Sequence, residues 1–424
     1  MKASELKVKI KEGALAAYSD IYADLGAQSE RYMRMLDGFT ELYGDCEAEL
    51  LSVPGRSEIS GNHTDHNRGC VLAGAIDRDV IAAATRTDCG AVKFFSEGYP
   101  MSEVDLADVS SPENFEKYTS TALIAGMIDG FMKRGYAVGG MNVYSTSEVL
   151  KGSGISSSAA YEVMIGNALN HLYNGGAVPN EEIAKIAQYA ENVYFGKPCG
   201  LMDQMACAVG GFVYIDFMDK DNPEVVPIDF SLSDKGYALC IVNTGGNHAD
   251  LNEDYASVPR EMKDVARALG NDVLRGIDEA ELVKNIPALR ESVGDRAVLR
   301  ALHFIRENER VRRARAALSE DRLDGFFAAV NESGASSFKY LQNVYTTANV
   351  REQGISLALA LAEGYLGDEG ASRVHGGGFA GTVQVFVRKE RLSGLTELMD
   401  SVFGKGSAMA FNVRPLGAIR LKFN

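Results

Sequence analysis

Between Lys151 and Ala160 the chain reads KGSGISSSAA, glycines and then a run of three serines ahead of an apolar repeat. Glycine lets a backbone approach an anion closely, and the unpaired N–H groups of a first helical turn point at it. This order of residue types therefore suits a phosphate. A serine hydroxyl at such a place can cap the helix or reach a phosphate-bound Mg²⁺. Behind the loop, Ala159, Ala160, Val163, Met164, Ala168, Leu169 and Leu172 recur at helical spacing. A serine-capped helix after a glycine turn would explain the same letters. The order matches neither the G-x-x-x-x-G-K-[ST] phosphate loop nor the G-x-G-x-x-G dinucleotide loop.

A second segment, Val53-Pro-Gly-Arg-Ser-Glu-Ile-Ser-Gly-Asn-His-Thr-Asp-His-Asn-Arg-Gly69, packs Arg56, Asn62, His63, Asp65 and His66 between glycines, just ahead of a strand-like run. Groups that donate and accept several hydrogen bonds at once are what a sugar site requires. His63, Asp65 and His66 are also metal-binding types, and a polar turn without a ligand is a third reading.

These segments need a scaffold, and 424 residues exceed one comfortable core, so at least two domains are expected. With 46% hydrophobic and 24% charged residues, the composition is that of a globular protein. A formal charge of −15 argues against nucleic acid or an anionic membrane as main partner. No run reaches the roughly 18 apolar residues of a membrane span, and MKASELKVKIKEG lacks the apolar core of a secretion signal. A cytoplasmic location is expected. The six cysteines are scattered without a C-x-x-C pair, which fits reduced thiols.

Helical patterns are expected from Leu15 to Leu25, from Arg31 to Leu42, over 119–134, 159–173 and 181–194, through most of 259–330, and from Glu390 to Phe403. Strands are expected over 71–76, 79–83 and 92–95 with turns between them, then at 211–217, 238–243, 382–387 and 408–423. Without strict β-α alternation, these elements point to an α+β architecture.

Taken together, the motifs resemble those of the galactokinases, members of the GHMP kinases. VPGRSEISGNHTDHNRG resembles the N-terminal motif GRxNLIGEHTDYNxG. GSGISSSAA resembles the second motif of the superfamily, and HGGGFAGT the third, usually GAGFGGC. Cys199-Gly-Leu-Met-Asp-Gln204 and the segment Val242 to Tyr255 look specific to galactokinases, and Arg306-Glu-Asn-Glu-Arg310 adds a weaker match. The resemblance runs from about residue 50 to the end, in the family's order.

The resemblance implies a two-domain α+β fold, an N-terminal ribosomal-protein-like mixed-sheet domain (1–215) and a C-terminal ferredoxin-like domain (216–424), with the active site in the cleft between them. It implies ATP-dependent phosphorylation of the C1 hydroxyl of galactose, with ATP and Mg²⁺ as cofactors. Sugar and ATP would be the only partners, in a monomer that binds neither nucleic acid nor membrane. Asp203 matches the aspartate at the sugar's C1 hydroxyl, as base or electrostatic partner, and Arg56 the arginine beside it. Gly152, Ser153, Gly154, Ile155, Ser156, Ser157 and Ser158 would hold ATP, and Ser158 with Glu191 would hold Mg²⁺. Asn62, His63, Asp65, Gly200 and Tyr255 match sugar-contacting positions. Phe115 and Tyr118 fall where an adenine contact is expected.

One departure stands out. Asn62 occupies the place of the motif's usual glutamate, which contacts the sugar's C6 hydroxyl in the family, and His66 that of its tyrosine. Losing a charged hydrogen bond costs about 1.5–3 kcal/mol if nothing replaces it. Losing the carboxylate also removes repulsion toward a C6 carboxylate, so a kinase for a relative such as galacturonate is the alternative expectation. A non-catalytic sugar and ATP sensor is a further one, set against by the intact serine run, Arg56 and Asp203. Ala380, for a motif glycine, adds only a methyl group.

Overall fold

The structure is a computed structural model and describes residues 1–149, 154–246 and 251–423. The strands in chain order are β1 (Glu49–Ser60), β2 (Cys70–Thr87), β3 (Ala91–Ser96), β4 (Ser102–Asp105), β5 (Gly140–Ser147), β6 (Phe212–Asp216), β7 (Glu224–Ile228), β8 (Tyr237–Asn243), β9 (Ala371–His375), β10 (Thr382–Arg388), β11 (Ala408–Phe411) and β12 (Ile419–Leu421). The helices are α1 (Ala3–Lys11), α2 (Leu25–Tyr43), α3 (Ser120–Lys133), α4 (Ser157–Tyr173), α5 (Asn180–Tyr189), α6 (Met202–Val209), α7 (Asn252–Ala268), α8 (Glu279–Ser292), α9 (Asp295–Ser319), α10 (Leu323–Ser336), α11 (Gly354–Leu366) and α12 (Leu392–Phe403). Among the described residues, no helix is long and apolar enough to cross a membrane.

Two compact units share the chain. The first comprises Met1–Arg56, Ala75–Gly211 and Arg414–Asn424, and the second Ser57–Gly74 and Phe212–Val413. A single cut after residue 215 differs from this division in three pieces: 57–74 and 212–215 join the second unit, and 414–424 joins the first.

In the first unit the strands lie in the order β12-β1-β2-β5-β3-β4, mixed in direction, with β3 parallel to β5 and β5 antiparallel to β2. β2 is buried on both faces from Ala75 through Ile76 and again from Asp79 to Thr85. Apolar Ile81 and Ala83 pack with Tyr32, Met35, Leu36 and Phe39 of α2. α3 to α6 pack on one another.

The expectation of two strands with a turn at Asp77–Arg78 is corrected: β2 is continuous. Asp79, a turn residue by type, is here a buried countercharge. Its carboxylate accepts from Arg31 (2.6 Å), Ser52 (2.5 Å), Tyr22 (2.8 Å) and Arg414 (3.0 Å), which ties α2, β1 and the C-terminal segment to β2. A helix over Leu15–Leu25 is not formed either. Ala14–Tyr18 is a short 3₁₀ turn, and α2 starts at Leu25 because the Asp24 side chain caps it at Ala27 N (2.9 Å).

In the second unit β6 pairs with β7 and with Cys70–Gly74 of β2. The antiparallel sheet β11-β8-β10-β9 has alternating faces. Val383, Val385 and Val387 pack on Ile355, Ala358 and Ala362 of α11 and on Leu395 and Met399 of α12. Between them Phe386 meets Phe326 and Phe327 of α10. α7, α8 and α9 form a further core with Leu251, Leu274 and Phe379.

Burial alone would raise the carboxyl pKa of Asp79, but Arg31 and Arg414 hold it below the usual carboxylate value. Its stabilising effect is thus complete at neutral pH and is lost as pH falls through that lowered value. Asp79→Ala should destabilise the first unit by about 3–5 kcal/mol, because it leaves two buried guanidinium groups uncompensated. Urea unfolding at pH 7 measures this, and a loss under about 1 kcal/mol would contradict it.

Candidate active site

β1 carries Arg56 at the end of the first unit's share of the strand. Its backbone N–H donates to Ile155 O (3.1 Å), which docks the strand onto the loop ahead of α4. A Cβ at Gly55 would stand 2.8 Å from Ile155 O, so only glycine fits before Arg56. From there the guanidinium grips Asp203 in bidentate fashion, Nε to Oδ1 and Nη2 to Oδ2, both at 2.7 Å. Its Nη1 donates to Gly154 O (2.7 Å).

Asp203 lies in the first turn of α6, behind the N-cap position Leu201, so it is not itself a helix cap. Its second partner is Ser156, whose Oγ donates to Oδ2 at 2.5 Å. Ser156 is the N-cap residue of α4, held in the left-handed region at φ 61°, and its hydroxyl makes no capping bond. The serine-cap expectation is therefore replaced at this residue: the hydroxyl serves the carboxylate. Burial works to raise the Asp203 pKa. The charge and hydrogen bonds of Arg56, the Ser156 hydroxyl and the charge of Lys197 overcome it and hold the carboxyl below its usual value. A third of the side chain stays open to solvent.

Glu191 follows α5 in a π-helical turn, Ala190–Phe195, that turns its side chain into the first unit at 2% exposure. Such turns expose side-chain geometry that a regular helix does not provide. Glu191 Oε1 accepts from Ser158 Oγ (3.3 Å) and Lys197 Nζ (3.0 Å), and Oε2 from Gln204 Nε2 (2.7 Å). The same Gln204 amide reaches Glu162 Oε2 (3.2 Å). Glu162 is fully buried; burial first, then the charge of Glu191, raise its carboxyl well above the usual range. A hydroxyl and a carboxylate in contact are hard oxygen donors of the kind Mg²⁺ takes when phosphates and waters complete its shell. The pair Ser158 and Glu191 fits that ion.

In the second unit the three successive carbonyls of Gly376, Gly377 and Gly378 collect the sugar-motif side chains. Asn62 Nδ2 donates to Gly376 O (2.7 Å), His63 Nε2 to Gly377 O (2.9 Å) and the Tyr255 hydroxyl to Gly378 O (2.8 Å). A Cβ on Gly378, whose φ is +83°, would meet Asn343 O at 2.0 Å. Burial, chiefly, pushes the His63 imidazole down to about 4, so the ring is neutral at pH 7. With Nε2 donating, Nδ1 is left as an acceptor. Asp65 opens a 3₁₀ turn, accepts from His66 N (2.9 Å) and acts on the His63 imidazole through its charge. α9 clamps the motif loop at both ends: Glu307 accepts from Gly61 N (3.0 Å), and Asn308 from Cys70 N (2.6 Å). His303 holds Asn62 O (3.0 Å).

The structure thus brings Arg56, Asp203, Ser156 and Gly154 together, and Ser158 with Glu191. Ile155 is buried behind the loop, Ser157 opens α4, and Gly200 lies two residues before α6, half-buried. Gly152 and Ser153 lie outside the described residues. Asn62, His63 and Tyr255 form the second group, in the other unit from Gly200. Among the described residues no cluster of three His, Cys, Asp or Glu could hold a metal, so a His63–Asp65–His66 site has no support. Tyr118 is 67% exposed and edges onto Phe195, while Phe115 packs on Tyr194. Glu58, Glu162, Lys197, Gln204, His303 and Glu307 were not singled out from sequence. Glu58, Gln204 and Glu307 sit inside segments already marked out by their motifs, which is the signal that could have found them.

Two family models match: the GHMP kinases N-terminal domain over residues 122–211 and the galactokinase galactose-binding signature over residues 37–86. A galactokinase of Streptomyces coelicolor is 32% identical over 88% of this chain and 93% of its own length. One from Thermotoga neapolitana is 31% identical over 83% and 93%. Among solved structures, Lactococcus lactis galactokinase complexed with galactose superposes with a TM-score of 0.76 at 25% identity, covering 91% of this chain and 98% of that one. A mevalonate kinase at 15% identity, TM-score 0.59, shares the fold. These similarities accord with the order of motifs and with the mixed α+β architecture: the chain belongs to the galactokinase family of GHMP kinases and is a sugar kinase.

Proposed function

We propose that the chain transfers the γ-phosphoryl group of ATP to the C1 hydroxyl of galactose, giving galactose 1-phosphate and ADP. The observation that carries this reading is the Arg56–Asp203–Ser156 arrangement: a carboxylate held ionised directly beside the glycine-serine loop. Phosphoryl transfer asks mainly for positioning and charge stabilisation, since the transition state is loose. A carboxylate with a depressed pKa is a weak base. Of the two roles open to Asp203, electrostatic orientation of the attacking hydroxyl therefore fits better than early proton removal. Arg56 keeps that carboxylate ionised and offsets charge on the phosphoryl oxygens.

ATP would lie along the loop from Gly152 to Ser158, with backbone amides at its phosphates and the start of α4 behind them. Ser158 and Glu191 would hold Mg²⁺, which when bound neutralises phosphate charge. Lys197, now on Glu191 Oε1, would then be released toward the phosphates. On the sugar side His63 would offer Nδ1 as an acceptor, while Asp65 and Tyr255 would supply a carboxylate and a phenol. Gly200 would let the backbone approach the sugar.

Asp203→Ala should lower kcat by about 10²–10⁴-fold, with little change in KM for ATP, in a coupled ADP-release assay with galactose. Retention of more than about a tenth of the rate contradicts the role. Wild-type activity should hold as pH falls to the usual carboxylate pKa of about 4, because the Asp203 value is lowered. In Arg56→Gln the burial remains while the opposing charge is gone. The acid limb of kcat/KM should therefore move upward in pH, and an unmoved limb counts against the pair. Glu191→Gln should raise the Mg²⁺ needed for half-maximal rate by at least about tenfold.

A further inference from the structure

Asn62 has no hydrogen-bonding capacity left for a ligand. Its amide donates to Glu58 Oε1 (2.8 Å) and Gly376 O (2.7 Å), and its carbonyl accepts from Asn343 Nδ2 (2.7 Å) and Ser337 Oγ (3.4 Å). Two donors and two acceptors are all a carboxamide has. The residue is 1% exposed. Its partner Glu58 keeps 10% of its side chain open and lies 3.5 Å from the fully buried Arg373.

In the motif form GRxNLIGE the fourth position is an amide and the eighth a carboxylate. Here Gly55-Arg-Ser-Glu-Ile-Ser-Gly-Asn62 has the carboxylate fourth and the amide eighth. Either order yields the same amide-to-carboxylate hydrogen bond, whereas a second carboxylate at position 62 would set two anions about 3 Å apart in a buried place.

We propose that Glu58 and Asn62 are a transposed pair: Glu58 is the specificity-determining carboxylate for the sugar's C6 position, and Asn62 is the positioning residue that aims it. The proposal rests on the sugar-kinase reading above and deepens it. Because the negative charge is retained, the substrate class is a hexose with a neutral C6 hydroxyl. The galacturonate expectation, which followed from Asn62 read alone, is set aside.

The test measures kcat/KM for galactose, 6-deoxygalactose and galacturonate. Wild-type enzyme should favour galactose over each of the other two by at least about tenfold. Glu58→Gln, nearly isosteric, should cut the galactose to 6-deoxygalactose ratio by about tenfold while the 6-deoxygalactose value changes less than about threefold. Asn62→Glu alone should lose activity on all three sugars, and the exchange Glu58→Asn with Asn62→Glu should bring the wild-type ratio back within about threefold. If Glu58 served only as countercharge to Arg373, Glu58→Gln would lower all three values alike, and that result overturns the proposal. So does a wild-type preference for galacturonate, which no variant's folding can obscure. Wild-type enzyme inactive on every sugar would instead overturn the kinase reading, and this inference with it.

Discussion

A carboxylate withdrawn from water stays ionised only if positive charge and hydrogen bonds replace the solvent it has lost. Asp203 meets that condition through Arg56 and Ser156, and the neighbouring part of the first unit is arranged around the need. β1 brings the guanidinium, Gly55 lets that strand close onto Ile155, and the left-handed Ser156 turns its hydroxyl away from the helix it begins and toward the carboxylate. Each of these features looks incidental in isolation. They share one effect, which is to fix an anion beside the turn that leads into α4.

The same rule recurs away from that centre with different outcomes. Asp79 has Arg31 and Arg414 and stays ionised, so it joins α2, β1, β2 and the C-terminal segment. Glu307, paired with Arg310 and Ser333, is held down to about 2 and clamps the sugar-motif loop from α9. Glu162 has, among the described residues, the shared amide of Gln204 and a neighbouring anion in Glu191, and its carboxyl is driven up by burial and that anion instead. A cation bound at Glu191 would change that balance. Asp79, Glu307 and Glu162 thus divide according to whether an arginine reaches them.

The motifs were readable because their residue types carry chemistry that simple spacing reveals. The serine run, the Arg-His-Asp segment and the triple glycine of the third motif are local in sequence, although the second is divided in structure, with Arg56 in the first unit and His63 and Asp65 in the second. Less readable were the residues whose role is to hold others. Gln204 and Glu307 lie within recognisable segments, but nothing in their spacing says which partner they reach. Glu58 lies within the Val53–Gly69 segment, but nothing in its spacing names Asn62 and Arg373 as its partners. Asp79 was placed at the start of a strand, but nothing local shows that Arg31 and Arg414 would meet it there.

The sequence by itself determined the family, the mixed α+β architecture and the loop that suits phosphate, because these follow from residue types at fixed offsets along the chain. Only tertiary structure decided that β2 runs unbroken, that Ser156 serves Asp203 instead of capping α4, and that Asn62 is spent on its neighbours. Those outcomes depend on groups as far apart in the chain as Arg414 and Asp79, or Asn343 and Asn62. Whether a polar group faces a ligand or is already satisfied is set by the partners the fold brings to it, and no local pattern records them.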